Sequence, residues 1–118
     1  MRSYTDGAGM STASSVPMFW YETKTFSNLS ISANSAATGK ELNIYKQDYY
    51  AVGVVGMRII NSSSGGANAA NCNVYIYTIV NSDHITFSIK NFASTAAKVD
   101  VEFKVFYIAA PALASQLS

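Results

Sequence analysis

The amino-acid sequence predicts an all-β domain: an antiparallel β-sandwich of Greek-key or jelly-roll type with about seven strands. Three observations predict it. The clearest stretches, "HITFSIK" and "VDVEFKVFYI", alternate apolar and polar residues, and no segment shows a convincing 3.6-residue period. β-Branched and aromatic residues dominate these stretches. Clusters of Ser, Asn, Gly and Ala separate most of them, and the two prolines, Pro17 and Pro111, bracket the strand region.

Residues 1–16 are rich in Gly, Ala, Ser and Thr and lack apolar bulk, so they are expected to form a flexible N-terminal arm. The β-domain is expected over 17–110, with a short C-terminal tail at 111–118. In "MFWYETKTFS", Phe19, Tyr21, Thr23 and Thr25 share one face, and Trp20, Glu22, Lys24 and Phe26 the other. "LSI" places Leu29 and Ile31 together on a short second strand. "SANSAATGK" is expected to be a loop and "ELNIYK" a short strand. "YYAVGVVGMRII", residues 49–60, is apolar on both faces and is expected to be a central strand, with Gly53 and Gly56 marking a bulge or a close backbone approach. "NVYIYTIV" is also apolar on both faces. "NSD" then turns the chain into a hairpin. Ile85, Phe87 and Ile89 are expected inward and His84, Thr86, Ser88 and Lys90 outward. In the last strand Val99, Val101, Phe103, Val105 and Tyr107 are expected inward, and Asp100, Glu102 and Lys104 outward.

Composition narrows the function. Charged residues make up 13% of the 118-residue chain, against 49% hydrophobic. Soluble domains ordinarily carry about 25% charge. A surface built from Ser, Thr, Asn and Gly suits a protein that packs against other subunits or works outside a cell. The net charge is +1 and the cations are scattered, so no nucleic-acid partner is expected. No apolar run approaches the roughly 20 residues of a membrane span, and the N-terminus has no apolar signal-peptide core. Synthesis in a cytoplasm is therefore expected.

No catalytic, cofactor-binding or metal-binding residue is expected. Cys72 is the sole cysteine and His84 the sole histidine, which leaves no Cys/His metal cluster. Cys72 should be a half-buried residue at a strand start. "SDH" carries the letters of a hydrolase triad, but consecutive residues diverge and cannot line up. Asp100 and Glu102 lie about 7 Å apart on one strand face, but Lys104 continues the row as a solvated face would. The sequons at Asn28 and Asn61 are taken as loop polarity.

A Gly-containing strand over 53–60 is followed by a Ser/Gly/Ala/Asn loop and a Tyr-rich strand over 73–80. "SIKN" at 88–91 and "STAAKVDVEFKVFYI" at 94–108 complete the pattern. This order of segments resembles the small β-domains of tailed-bacteriophage structural proteins, those of capsid decoration, head-fibre and tail-appendage type. It covers about half of the chain. The chain opens on Met1 with no long fibre-forming region before the domain, which shifts the expectation toward a small stand-alone virion component. The resemblance makes the cytoplasm of synthesis that of a host bacterium, and implies a virion location, other virion proteins as partners, and a trimer.

Two sets of residues are singled out. Tyr75, Tyr77, Phe106 and Ile108 are second-face apolar residues that one sandwich core cannot cover, so they are the candidate oligomer interface. The run "NSSSGGANAANCN" supplies the candidate surface loop: Ser62, Ser63, Ser64, Gly65, Gly66, Asn68 and Asn71. Its small residues would let another backbone come close, from a neighbouring subunit or a host surface. The alternative is a plain crossover between sheets. A second functional expectation is a receptor- or carbohydrate-binding module for host attachment, with Tyr49, Tyr50, Tyr75 and Tyr77 stacking on glycan rings.

Overall fold

The computed structural model describes residues 17–110; the expected arm at 1–16 and tail at 111–118 lie outside them. The described residues form a two-layer sandwich. In chain order the strands are β1 (Phe19–Ile31), β2 (Ala36–Asn43), β3 (Tyr49–Asn61), β4 (Cys72–Val80), β5 (His84–Asn91) and β6 (Ala97–Ala109). A 3-10 turn at Ala69–Asn71 precedes β4. One sheet has the order β1-β6-β3 and the other β2-β5-β4, all antiparallel. Only the β4–β5 connection stays within a sheet. β1 pairs with β6 and β2 with β5, so the chain nests like a rolled hairpin, a jelly-roll-like winding. The two short strands expected around Asn28 are two halves of β1. They are joined at a register shift between Phe26 and Leu29, where Asn28 takes φ 57°.

The central strands carry the core. Along β6, Ala97, Val99, Val101, Phe103, Val105, Tyr107 and Ala109 are all buried, in strict alternation. Ile85, Phe87 and Ile89 of β5 face them and are fully buried, as expected. Phe87 and Phe103 meet at 5.2 Å between ring centres, and Phe26 closes edge-on against Phe87 at 5.5 Å. Each such ring contributes about 1.5–3 kcal/mol by leaving water.

The sheets differ in length. Strands of 13 residues in the first reach about 43 Å, and those of 8 or 9 residues in the second about 29 Å. The overhang is covered by the link between β2 and β3. Ile44 is fully buried there, its carbonyl accepts a 2.7 Å bond from the Tyr107 hydroxyl, and Ala110 N donates to Asp48 O.

Three expectations are corrected. Residues 49–60 form an edge strand, not a central one, and Val52, Val55 and Met57 are exposed. The central place belongs to β6, whose alternation lets its inner row be buried wholly. Residues 36–40 are strand rather than loop. They pair with β5 around a bulge at Gly39, whose φ of +61° favours glycine and whose N–H donates to Ser88 Oγ at 3.2 Å. That bond also explains why Ser88, expected outward, is buried.

Every edge strand carries an extra residue relative to its central partner. The shifts lie at Phe26/Leu29, Ala37/Lys40, Ala51/Gly53, Val54/Gly56 and Val74/Ile76. β5 and β6 run without one. Bulges of this kind twist an edge away from pairing with another chain.

Candidate interaction surfaces

The winding sorts the connections to two ends. The distal end holds the β1–β2, β3–β4 and β5–β6 links. The proximal end holds the β2–β3 link, the β4–β5 turn and the two places where the chain enters and leaves, Pro17 and Ala110.

The distal end is built from the small-residue run. It crosses from β3 in one sheet to β4 in the other, and it is knitted to its own domain. Ser62 N and Ala67 N donate to Lys98 O, Lys98 N donates to Ala67 O, and Gly66 N donates to Ser62 O at 2.8 Å. Ser62 Oγ bonds the Asn28 side chain. Asn68 Nδ2 reaches Thr95 Oγ1 and Ala96 O, both at 2.8 Å. A Cβ at Gly66 would fall inside the backbone of Asn61 and Ser62. The close backbone approach that small residues permit is therefore made within the chain. Of the candidate loop residues, Ser63, Ser64, Gly65 and Asn71 are exposed and Gly66 and Asn68 half-buried. Ser62 is buried and is no surface residue, because its amide bonds Lys98 of β6, its hydroxyl Asn28 of β1 and Ser64, and its carbonyl Gly66. Fully buried Asn91 anchors the neighbouring link. Its Nδ2 donates to Ile31 O, Ser32 O and Thr95 O, and its Oδ1 accepts from Ala93 N. A shallow depression of about 290 Å³ opens here, bordered by Ser30, Ser32, Gly65, Ala67, Ala96 and Lys98.

The outer face of β1-β6-β3 is divided. Its distal half is ionic. Arg58 forks onto Glu102 at 3.1 and 3.3 Å, and Asp100 accepts from Asn28 N at 2.9 Å. Its proximal half is apolar. Register sets Phe19 and Tyr50 on either side of Ile108, and Tyr21 and Gly53 on either side of Phe106. Phe19 and Tyr21 lie 5.8 and 5.0 Å from the Phe106 ring. The shifts along β3 add Val52 and Val55. Phe19, Tyr21, Tyr50, Val52 and Val55 are between 46% and 61% exposed, while Phe106 and Ile108 beneath them are half-buried.

The four candidate interface residues thus divide into two places. Phe106 and Ile108 form the floor of the apolar half-face. Tyr75 and Tyr77 lie on β4, an edge of the other sheet. Tyr77 packs edge-on to core Phe103 at 6.1 Å, and Tyr75 is exposed next to the bulge. Sequence reasoning missed Phe19, Tyr21, Tyr50, Val52 and Val55 as companions of Phe106. The face shared by Phe19 and Tyr21 was legible; that β1 and β3 both flank β6 was not. Nor do the four tyrosines expected to stack on glycans converge. Tyr49 donates its hydroxyl to Pro17 O at 2.6 Å under the Lys46 ammonium, Tyr50 faces outward, and the other two sit on β4.

Several ionisable groups have structural partners. Ser82 Oγ donates to Ala51 O, while His84 faces Asp83 at 3.2 Å and Glu41 at 3.9 Å, so the "SDH" letters form no nucleophile–base pair. Cys72 is half-buried at the start of β4, and burial pushes its thiol pKa up. The Lys24 hydrogen bond, aided by Trp20 Nε1–H and Lys46, holds Glu22 below the ordinary carboxylate value. Burial, with the Glu22 charge nearby, pushes the Tyr107 phenol up to about 12. Among the described residues no three His, Cys, Asp or Glu side chains come together as a metal site.

Comparison with protein-family models, curated proteins and solved structures returns no significant match.

Proposed function

We propose that this chain is a non-catalytic surface component of a bacteriophage particle: a capsid decoration, head-fibre or tail-appendage domain that assembles with copies of itself. The observation that carries this reading is the polarity of the sandwich. The first and last described residues, Pro17 and Ala110, lie at one end with the exposed aromatic half-face, and the small-residue loops lie at the other. A domain attached through residues 1–16 would direct the distal loops away from its anchorage. The sequence pattern over 53–108, with its resemblance to phage β-domains, supports the particle, and supplies the trimer as the preferred stoichiometry. Mass spectrometry of purified particles tests it: the protein is expected at structural copy number, and its absence from particles sinks the proposal.

The second reading, host-glycan binding, is favoured by the distal depression. Ser30, Ser32 and Lys98 offer donors around an open floor, and Phe92 stands exposed at the same end. A glycan array of bacterial surface polysaccharides checks it, and a blank array counts against it.

A further inference from the structure

We propose that the proximal half of the outer β1-β6-β3 face seats a second copy of this chain. The proposal deepens the reading above and rests on it for the need to self-assemble; the contact itself is argued from the face.

The sandwich offers another chain either its edges or its faces. Each edge strand carries a bulge, which disfavours strand addition. The face remains. Its apolar half presents roughly 500 Å² of apolar surface, taking usual side-chain areas at the observed exposures. A standard interface takes about 800 Å² from each partner, and homodimer interfaces are about 65% apolar. The patch matches that apolar share, with Thr23, Thr25 and Lys104 next to it as a polar rim. The rings are already ordered against Phe106, so little side-chain freedom remains to be lost on contact.

The chemistry of the occupant follows. The half-face carries no charge of its own; Lys104, at its border, lies 5.5 Å over the Tyr21 ring. A like face can approach without opposing like charges. The contact stops at the ionic half, because covering the Arg58–Glu102 pair would take both charges out of water. The rest of this chain is a poor alternative cover. Residues 1–16 offer Met1, Tyr4, Met10 and Val16 as their large apolar side chains, and residues 111–118 offer Leu113 and Leu117. A second copy brings the same aromatic density.

Sedimentation equilibrium of the full chain at micromolar concentration tests the proposal, comparing wild type, Phe19→Lys/Val52→Lys and Tyr75→Lys. Wild type is expected at a multiple of 12.7 kDa. The double variant, altered at exposed edge-strand positions, is expected as a single 12.7 kDa species with an unchanged circular-dichroism strand spectrum. Tyr75→Lys, on the other sheet, is expected to assemble like wild type. A wild-type monomer, or a double variant that still assembles, overturns the proposal. Should the double variant lose its strand spectrum, Tyr50→Gln takes its place. It is expected to weaken association at least tenfold, and unchanged association overturns the proposal. A chain that is monomeric in solution yet present in particles defeats this contact and leaves the particle reading standing; assembly in solution with absence from particles does the reverse.

Discussion

The two ends of the sandwich solve opposite problems. At the distal end the side chains, Phe92 apart, are mostly small and polar, and nearly every loop described there is tied back to its own domain: Ser62 and Ala67 to Lys98, Asn68 to Thr95, Asn91 to three carbonyls. At the proximal end the side chains are large and apolar, and those on the outer face have a floor but, among the described residues, no cover. The contrast teaches that a run of small residues is not by itself an invitation to a partner. It is the means by which a long crossover closes on itself. Exposed aromatics ordered on a sheet face are the feature that the described residues leave without a partner.

The distal half of this comparison breaks most readily at Asn91. Asn91→Ala removes one buried amide that serves three carbonyls and one N–H. Leaving buried groups without partners costs about 1–3 kcal/mol each, so a loss of about 3 kcal/mol or more is expected in urea unfolding. Asn91→Asp is expected to fail similarly, since a carboxylate cannot donate to carbonyls. A loss below about 1 kcal/mol for the alanine variant would show the loops to be less self-reliant than their hydrogen bonds indicate.

Gly66→Ala is next, at about 2–3 kcal/mol, because the added methyl meets backbone that has no rotamer to change. Gly65→Ala tests the opposite geometry. It finds open space but sits at φ +80°, so it is expected to be milder, at about 1 kcal/mol. Thermal unfolding of the pair reads the order directly. If Gly65→Ala is the worse, crowding is not what selects glycine at 66.

These positions also show what was legible in the sequence. The inner rows of β5 and β6 were, because one strand face there is wholly apolar and alternation has only one solution. The half-burial of Cys72 and the shifts at Gly53 and Gly56 in β3 were legible too. Strand order was not. "YYAVGVVGMRII" is apolar on both faces, which a central strand explains as well as an edge strand whose bulges add residues to an exposed face. Register shifts depend on the partner strand, so the pairing of 36–40 with β5 was hidden by its Ala, Thr and Gly. The apolar half-face joins residues from β1, β3 and β6 and could be read only in part, through Phe106 and Ile108. The burial of Ser62 had no local signal, since its partners are chosen by the loop's path.

The proximal end is sharpened by Tyr107. Its hydroxyl joins the overhanging sheet to the β2–β3 link, so Tyr107→Phe is expected to cost about 1–1.5 kcal/mol by freeing Ile44 O. It also tests a pH dependence with a definite sign. The folded phenol has its pKa raised from 10 to about 12, so the folded state holds the proton more tightly than the unfolded one. The contribution is present in full below pH 10 and is lost as pH rises toward about 12. Urea unfolding at pH 8, 10 and 11 should show a steeper alkaline decline in wild type than in Tyr107→Phe. Parallel declines would place the alkaline sensitivity elsewhere.

The smallest effect is expected at Glu22, on the inner side of the same end. Lys24 holds it at 2.8 Å, with Trp20 Nε1–H and Lys46 nearby, and the folded carboxyl titrates below its ordinary 4.5. The sign is opposite to that of Tyr107. Stability from this group is present above pH 4.5 and is lost as pH falls through the lowered folded value. The side chain is 35% exposed, so water and salt screen the pair, and no more than about 0.5 kcal/mol is expected. Glu22→Gln should flatten the acid limb of the stability curve slightly at low salt, and the difference should fade at 1 M salt. Unfolding at pH 7 and pH 3 at both salt concentrations reads it. An effect that persists at high salt would mean that Glu22 acts through packing beneath the Tyr107 end of the sheet rather than through its charge, and that the proximal end is held more rigidly than its exposed outer face implies.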